Sequence, residues 1–286
     1  MSHAPTRISN AADAEITGLR HLLAPFSTAW RFEELISAML RQELAARFRN
    51  SILGWTWAIV GPLVTLGLYT VAFNSALRLP VARSHGGIAN YALFVFVGMI
   101  IFNLLAELTS RGPLLMHDHA ARIKSSLFPS ETLAWITVLR GYVGAAISLG
   151  VLLVFQILLT GRIPWLLPGL VLVLIPLTLY LLGLVWFLAA IGAFARDVGY
   201  LMITVVPVLM IISPVFYTVA GLPEEIQFWV WLNPLSAAIE FSRALLLGTP
   251  WPPLLAVGWL WLASLLTFRG GYVFFMRYKG ILVDVI

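Results

Sequence analysis

RFRNSILGWTWAIVGP, residues 47–62, decides the fold. Two arginines open the stretch and Gly54 lets the backbone tighten. Trp55 and Trp57 follow at the depth where aromatic rings settle between headgroups and acyl chains, and Pro62 lies inside an apolar run. This pattern turns a membrane-surface helix into a membrane span.

Upstream, Phe32, Leu35, Ile36, Met39, Leu40, Leu44 and Phe48 recur at helical spacing, with Glu33, Glu34, Arg41, Gln42, Glu43 and Arg47 on the remaining faces. Acids early and arginines late suit the helix dipole. The expectation is an amphipathic helix over residues 31–50 lying in the membrane interface; a helix packed on a soluble core is the alternative. Residues 1–30 are polar, mix both charge signs and lack the apolar core and cleavage site of a signal peptide, so they read as a cytoplasmic tail.

Downstream the chain is apolar. Of its 286 residues 60% are hydrophobic and 11% charged, against about a quarter charged in soluble domains, so an ordinary soluble fold is excluded. Charge-free runs cover residues 52–77, 86–106, 141–161, 163–195, 198–223 and 244–268, each long enough for one span of about 20 residues. The expected fold is therefore all-α with six transmembrane helices over residues 51–286. Thirteen Lys and Arg residues fall on the side of the N-terminus and four on the other, which puts both termini in the cytoplasm. The basic residues are topology signals scattered between apolar runs, not a nucleic-acid patch.

Two segments interrupt the pattern. In residues 107–131, ELTSRGPLLMHDHAARIKSSLFPSE, Gly112-Pro113 can open a short helix and Pro129 must end it, giving a compact cytoplasmic helical turn. In residues 213–250, Pro214, Pro223 and Asn233-Pro234 cut apolar sequence into pieces too short to span. Such pieces fit a re-entrant helix pair on the outer side, with a plain outer loop as the alternative.

No chemistry of catalysis is legible. The chain has no cysteine, no phosphate loop and no HExxH or GxSxG motif. His117-Asp118-His119 is the only histidine cluster, and its spacing on a helix points the rings apart, so no metal site is expected. Glu107 and Arg140 should lie near one another at the cytoplasmic ends of neighbouring spans, either paired or each reaching to the headgroups. Trp55, Trp57, Tyr69, Phe73, Phe102, Phe216 and Tyr217 could line a channel for sugar rings or anchor the spans in lipid. The chain reads as a conduit without its own energy source.

At this point the residues carry a family. Residues 41–62, RQELAARFRNSILGWTWAIVGP, resemble the opening of ABC-2 type permeases that export polysaccharides, with Arg47, Phe48, Ser51, Leu53, Gly54, Trp57 and Pro62 matching R-[YF]-x-x-S-x-L-G-x-x-W-x-x-x-x-P. Ile123-Lys124, Phe128-Pro129 and Glu131 resemble the family's I-K-K-x-x-F-P-R-E segment. Ser213-Pro214-Val215-Phe216-Tyr217, Asn233-Pro234 and Arg243 resemble its S-P-[VI]-x-Y…N-P…[FY]-R segment. Gln42, Ser125 and Ser130 depart from the charged residues usual there.

The resemblance implies a transport subunit, not an enzyme: a homodimer of six-span subunits in the inner membrane, bound to two copies of a separate ABC ATPase that holds ATP and Mg. The substrate would be a lipid-linked polysaccharide of O-antigen, capsule or teichoic-acid type, with a small lipid or drug as the alternative. It also implies that Arg111, His117, Arg122, Lys124 and Phe128 couple the permease to the ATPase. Arg41, Arg47 and Arg49 sit at the headgroup level, where they either attract the phosphate of a lipid carrier or serve as plain anchors. Gly54 is the candidate hinge between surface helix and first span.

Overall fold

The computed structural model describes residues 20–48, 54–75, 88–124, 128–161 and 163–285. Among them are twelve α-helices and no strand. In chain order these are α1 (Arg20–Arg31), α2 (Glu33–Phe48), α3 (Thr56–Ser75) and α4 (Ile88–Arg111). The one-turn pieces α5 (Leu115–Asp118) and α6 (Ala120–Ile123) follow, then α7 (Thr132–Thr160), α8 (Val171–Phe194) and α9 (Asp197–Ile212). The chain closes with α10 (Glu224–Leu232), α11 (Pro234–Leu247) and α12 (Leu254–Val285). Four stretches are long and apolar enough to cross a membrane: Asn90–Asp118, Thr132–Thr160, Leu167–Phe194 and Leu254–Leu282. Helix α9, Asp197–Ile212, is apolar but shorter, and α3 is a further charge-free helix of 20 residues.

Helices α8 and α12 pack along most of their length, and glycine permits it. A Cβ on Gly183 would overlap the carbonyl of Thr267, and one on Gly271 would overlap the carbonyl of Gly183. Small residues that let backbones touch are how helices associate without a hydrophobic driving force. Beside this contact Trp186 is fully buried, edge-on to Phe268 and Tyr272 with centroids at 5.5 and 5.0 Å, and its indole N–H donates to the Glu131 carbonyl at 3.1 Å. Lys279 pairs with the Glu131 carboxylate. The start of α7 is thereby clamped between α8 and α12, and α4 fills the other side of α7 with Leu104, Leu105 and Leu108 in the core.

Four boundaries differ from the sequence reading. Residues 20–30, assigned to the tail, are helical. Phe26 of α1 lies edge-on to Trp135 and stacked on Phe268, with centroids at 5.6 and 5.5 Å. The surface helix starts after a break at Phe32 and packs Ile36 and Met39 into the core. The fifth apolar run does not form one helix to Pro223. It stops at Ser213, which is extended (φ −78°, ψ 141°), because a following proline disfavours helical backbone. The last helix starts at Leu254, not Ala244: residues 244–247 belong to α11, which ends at Gly248 with φ 70°. Three prolines at 250, 252 and 253 delay the restart. Arg269, Arg277 and Lys279 then lie within α12, with Lys279 paired to Glu131.

Candidate functional site

The charged end of the bundle gathers α2, α3, α4 and α7 around a cleft of about 280 Å³. Arg47, Trp55, Trp57, Asn103, Glu107 and Ser148 are among the side chains that line it. Trp55 and Trp57 are about half exposed, at 51% and 49%. Gly54 precedes them with φ 50°, a conformation that only glycine adopts without strain, and so turns the chain into α3.

A network of charges forms the floor. Glu107 Oε1 faces three guanidinium groups, those of Arg47 at 3.7 Å, Arg111 at 3.5 Å and Arg140 at 3.8 Å. Arg140 also donates to Glu43 Oε2 at 3.2 Å, and His119 Nε2 lies 3.5 Å from Glu43 Oε1. Burial alone would raise the Glu43 carboxyl, but the hydrogen bonds and charges of His119 and Arg140 outweigh it and hold the group below its usual range. The hydrogen bond to Glu43 in turn raises His119 against the opposing effect of burial. Arg47, Arg111 and Arg140 are thus set against Glu43, Glu107 and the neighbouring Asp118, and of these groups Arg47 and Glu107 line the cleft itself.

The same contacts join α2 to the segment that follows α4. Arg122 donates to Gln42 Oε1 at 3.1 Å, beside the His119–Glu43 pair. That segment begins with a 3₁₀ turn, Gly112–Leu114, pressed on α8: a Cβ at Gly112 would come within 2.9 Å of Leu188, and one at Gly192 would overlap Pro113. Pro129 precedes α7, and its carbonyl accepts from both the backbone N–H and the hydroxyl of Thr132.

At the other end of the bundle, Arg243 of α11 is fully buried and organises the non-helical residues 213–218. It donates to the carbonyls of Pro214 (2.6 Å), Val215 (2.6 Å), Tyr217 (3.3 Å) and Phe94 (3.1 Å) and to Glu240 Oε1 (3.2 Å). Its guanidinium lies 3.5 Å above the Phe94 ring, and only a glycine at position 98 leaves room for it. Asn233 donates to Ser213 Oγ at 3.0 Å while its own oxygen caps α11 at Leu235 N, and the Tyr217 hydroxyl donates to the carbonyls of Ile211 and Ile212. The SPVFY, NP and Arg243 elements are thus one scaffold.

Of the residues singled out in the sequence, Arg47, Trp55 and Trp57 converge at the cleft, and Arg111 reaches Glu107 in its wall. Glu107 and Arg140 form a pair. Arg41, Arg122 and Lys124 are exposed, His117 is half-buried, and Phe128 packs against the core. Phe102 is a correction: at 3% exposure inside the core it cannot line a channel. Phe216 packs on the core and Tyr217 serves the scaffold. Arg49 and the side chains of Tyr69 and Phe73 lie outside the described residues. Sequence reasoning missed Glu43 and His119 as partners. The signal was present, since Glu43 is four residues past Met39 and seven past Ile36, on the buried face.

The profile of the ABC-2 type transporter family matches residues 34–247. The O-antigen export system permease protein RfbA of Myxococcus xanthus is 25% identical over 221 residues, covering 76% of this chain and 81% of that one. A protein of the same description from Klebsiella pneumoniae is 21% identical over 217 residues (75% and 81%). The inner membrane transport permease YadH of Escherichia coli K12 is 26% identical over 212 residues (68% and 77%). With three quarters of its length matched and several apolar helices packed as described, the chain is an integral membrane permease belonging to the ABC-2 type transporter family.

Proposed function

We propose that the chain is the permease subunit of an ATP-driven exporter that carries a lipid-linked polysaccharide, of O-antigen type, across the cytoplasmic membrane. The observation that carries this reading is the joining of α2 to residues 111–124 beside a cleft that offers tryptophan faces and the Arg47 guanidinium. Such a surface suits an external motor on one side and a phosphate-bearing, sugar-bearing substrate on the other. The relatives described as O-antigen export permeases support the substrate class, and capsule or teichoic acid is the nearest alternative. The second reading is export of a small lipid or drug, since the YadH relatives are named as inner membrane transport permeases with no glycan in the name.

In this reading α3, α4, α7, α8, α9 and α12 are six spans with both termini in the cytoplasm, and α10 and α11 form a re-entrant pair. Helix α9, about 24 Å long at 1.5 Å per residue, falls short of a ~30 Å hydrocarbon core, and the pair completes that wall. Arg243 supports re-entrance because it reaches α4 at Phe94 and Gly98, well inside that helix. Two subunits give the width a hydrated glycan needs, and two ATPase subunits bind at residues 111–128.

Deletion of the gene tests the function. Loss of surface glycan with accumulation of lipid-linked glycan in the cytoplasm is expected, restored by the intact chain; normal surface display refutes the reading. Lys124→Glu should weaken co-purification with the ATPase, and an undiminished complex removes the coupling role from that segment.

A further inference from the structure

A second cavity, of about 660 Å³, lies at the opposite end of α4 and α7 from the charged cleft, between the first turns of α4, the last turns of α7, α10, α11 and the loop over residues 247–253. On α4 it is lined by Asn90, Leu93 and Phe94, whereas the cleft follows the same helix from Phe96 to Glu107. Its volume is within the ~300–1,000 Å³ of sites that hold small molecules.

Two buried polar groups in its wall have no partner. Gln156, 8% exposed, fixes its amide by donating from Nε2 to the Leu246 carbonyl at 2.6 Å, which leaves Oε1 as an unmet acceptor. The Thr249 hydroxyl is likewise buried and unbonded. Leaving a buried polar group unpaired is costly, so two in one wall call for an occupant that supplies a donor to Gln156 and takes or gives a bond at Thr249. Adjacent hydroxyl groups do both.

Charge narrows the occupant. Among the described residues Glu240 is the only ionisable side chain in the lining, and its Oε1 already accepts from Arg243 at 3.2 Å and from the backbone N–H of Val219 at 3.4 Å. The described wall therefore presents no uncompensated charge and suits a neutral ligand. Flat apolar faces complete the wall. Trp231 and Trp251 both line it; Trp251 is 59% exposed and is set by an edge contact with Phe241 at 5.6 Å. The Phe94 face is taken by Arg243, so the tryptophans are the available planes. Neutral, hydroxyl-matching and tryptophan-walled together describe a sugar ring, whose C–H face packs on an aromatic plane while its rim forms hydrogen bonds.

We propose that this cavity is a subsite for one or two neutral sugar units of the exported glycan. The proposal rests on the polysaccharide reading above. It separates two tasks along the protein: the charged cleft meets the phosphate end of the substrate, and the neutral cavity meets sugars beyond it.

The test uses the full chain in lipid nanodiscs with 5-fluorotryptophan, the Trp251 ¹⁹F resonance being assigned through Trp251→Phe. Titration with galactose, mannose and N-acetylglucosamine should shift that resonance saturably for at least one sugar, while glucuronate should not. Gln156→Met and Thr249→Val should each weaken the response about tenfold, the loss expected for one hydrogen bond. A resonance that none of the neutral sugars moves, a response that both variants leave intact, or glucuronate binding as tightly overturns the subsite. Deletion distinguishes the two claims. If cytoplasmic glycan accumulates but no sugar binds, the subsite falls and the export function stands. If sugar binds but surface glycan is normal in the deletion strain, the export reading falls and the assignment to an exported glycan falls with it.

Discussion

Replacing Arg243 with methionine keeps most of the volume and removes every donor. The carbonyls of Pro214, Val215 and Tyr217 lie outside the helices and would lose the guanidinium that satisfies them, and Glu240 would lose its cation. One unpaired buried carbonyl costs about 1–3 kcal/mol, and breaking a buried ion pair from one side costs about 3–5 kcal/mol. These losses overlap, so the expected destabilisation is about 5 kcal/mol. For a large domain that corresponds to a fall of roughly 10–20 °C in melting temperature. Arg243→Lys should fall between, because an ammonium cannot fork to several carbonyls at once. In the double variant Glu240→Gln with Arg243→Met the loss should be smaller than in Arg243→Met alone, since no carboxylate is left stranded. Thermal unfolding of the purified protein measures the size, and hydrogen exchange of peptides over residues 213–221 locates it. An Arg243→Met protein that melts within about 2 °C of the parent, with unchanged exchange in that segment, refutes the scaffold role.

Three further outcomes follow from the geometry. The His119–Glu43 contact should be present below the ordinary histidine value near 6.5 and be lost as pH rises through the raised value of His119, because only the protonated ring pairs with Glu43. It should also weaken as strong acid protonates Glu43, whose own value is depressed. Spin labels at Ala46 and Ala121 should therefore separate on alkaline titration, and Glu43→Gln should abolish the dependence. Gly183→Val should prevent α8 and α12 from packing, since even a Cβ overlaps the Thr267 carbonyl; Gly150→Ala, with open space around it, should express and assemble as the parent does. Gly54→Leu imposes a strained backbone at φ 50°, costing about 1–2 kcal/mol without any clash, and should lower export by a complex that still assembles. Undiminished export would remove Gly54 as the hinge.

Helix positions were legible in the sequence wherever one local rule governs. Proline and glycine punctuation marked the turns at Gly112-Pro113 and Asn233-Pro234, and apolar runs marked the cores of α4, α7 and α8. The errors arose where two rules competed. Charge was read as the end of a span, but Lys279 stays within α12 because Glu131 meets it there. Residues 20–30 were read as tail because they are polar on average, yet Phe26 finds aromatic partners on α7 and α12. The charged end was half legible. Glu107 and Arg140 were placed together at helix ends with pairing and headgroup contact both open, whereas the Glu43–His119 contact joins residues 76 positions apart and depends on how α2 is rotated in the bundle. The cavity at the far end left no local signal, because Gln156, Glu240 and Trp251 come from three separate elements.

The most direct measurement is transport itself. The permease and its ATPase partner are placed in proteoliposomes whose bilayer carries a labelled lipid-linked polysaccharide, and the glycan that becomes accessible on the opposite face is followed after ATP is added. The account predicts ATP-dependent transfer of the glycan, absent without the permease and reduced when Arg47 is replaced by glutamine. An assembled complex that hydrolyses ATP but moves only small lipids, leaving the glycan where it began, would contradict it.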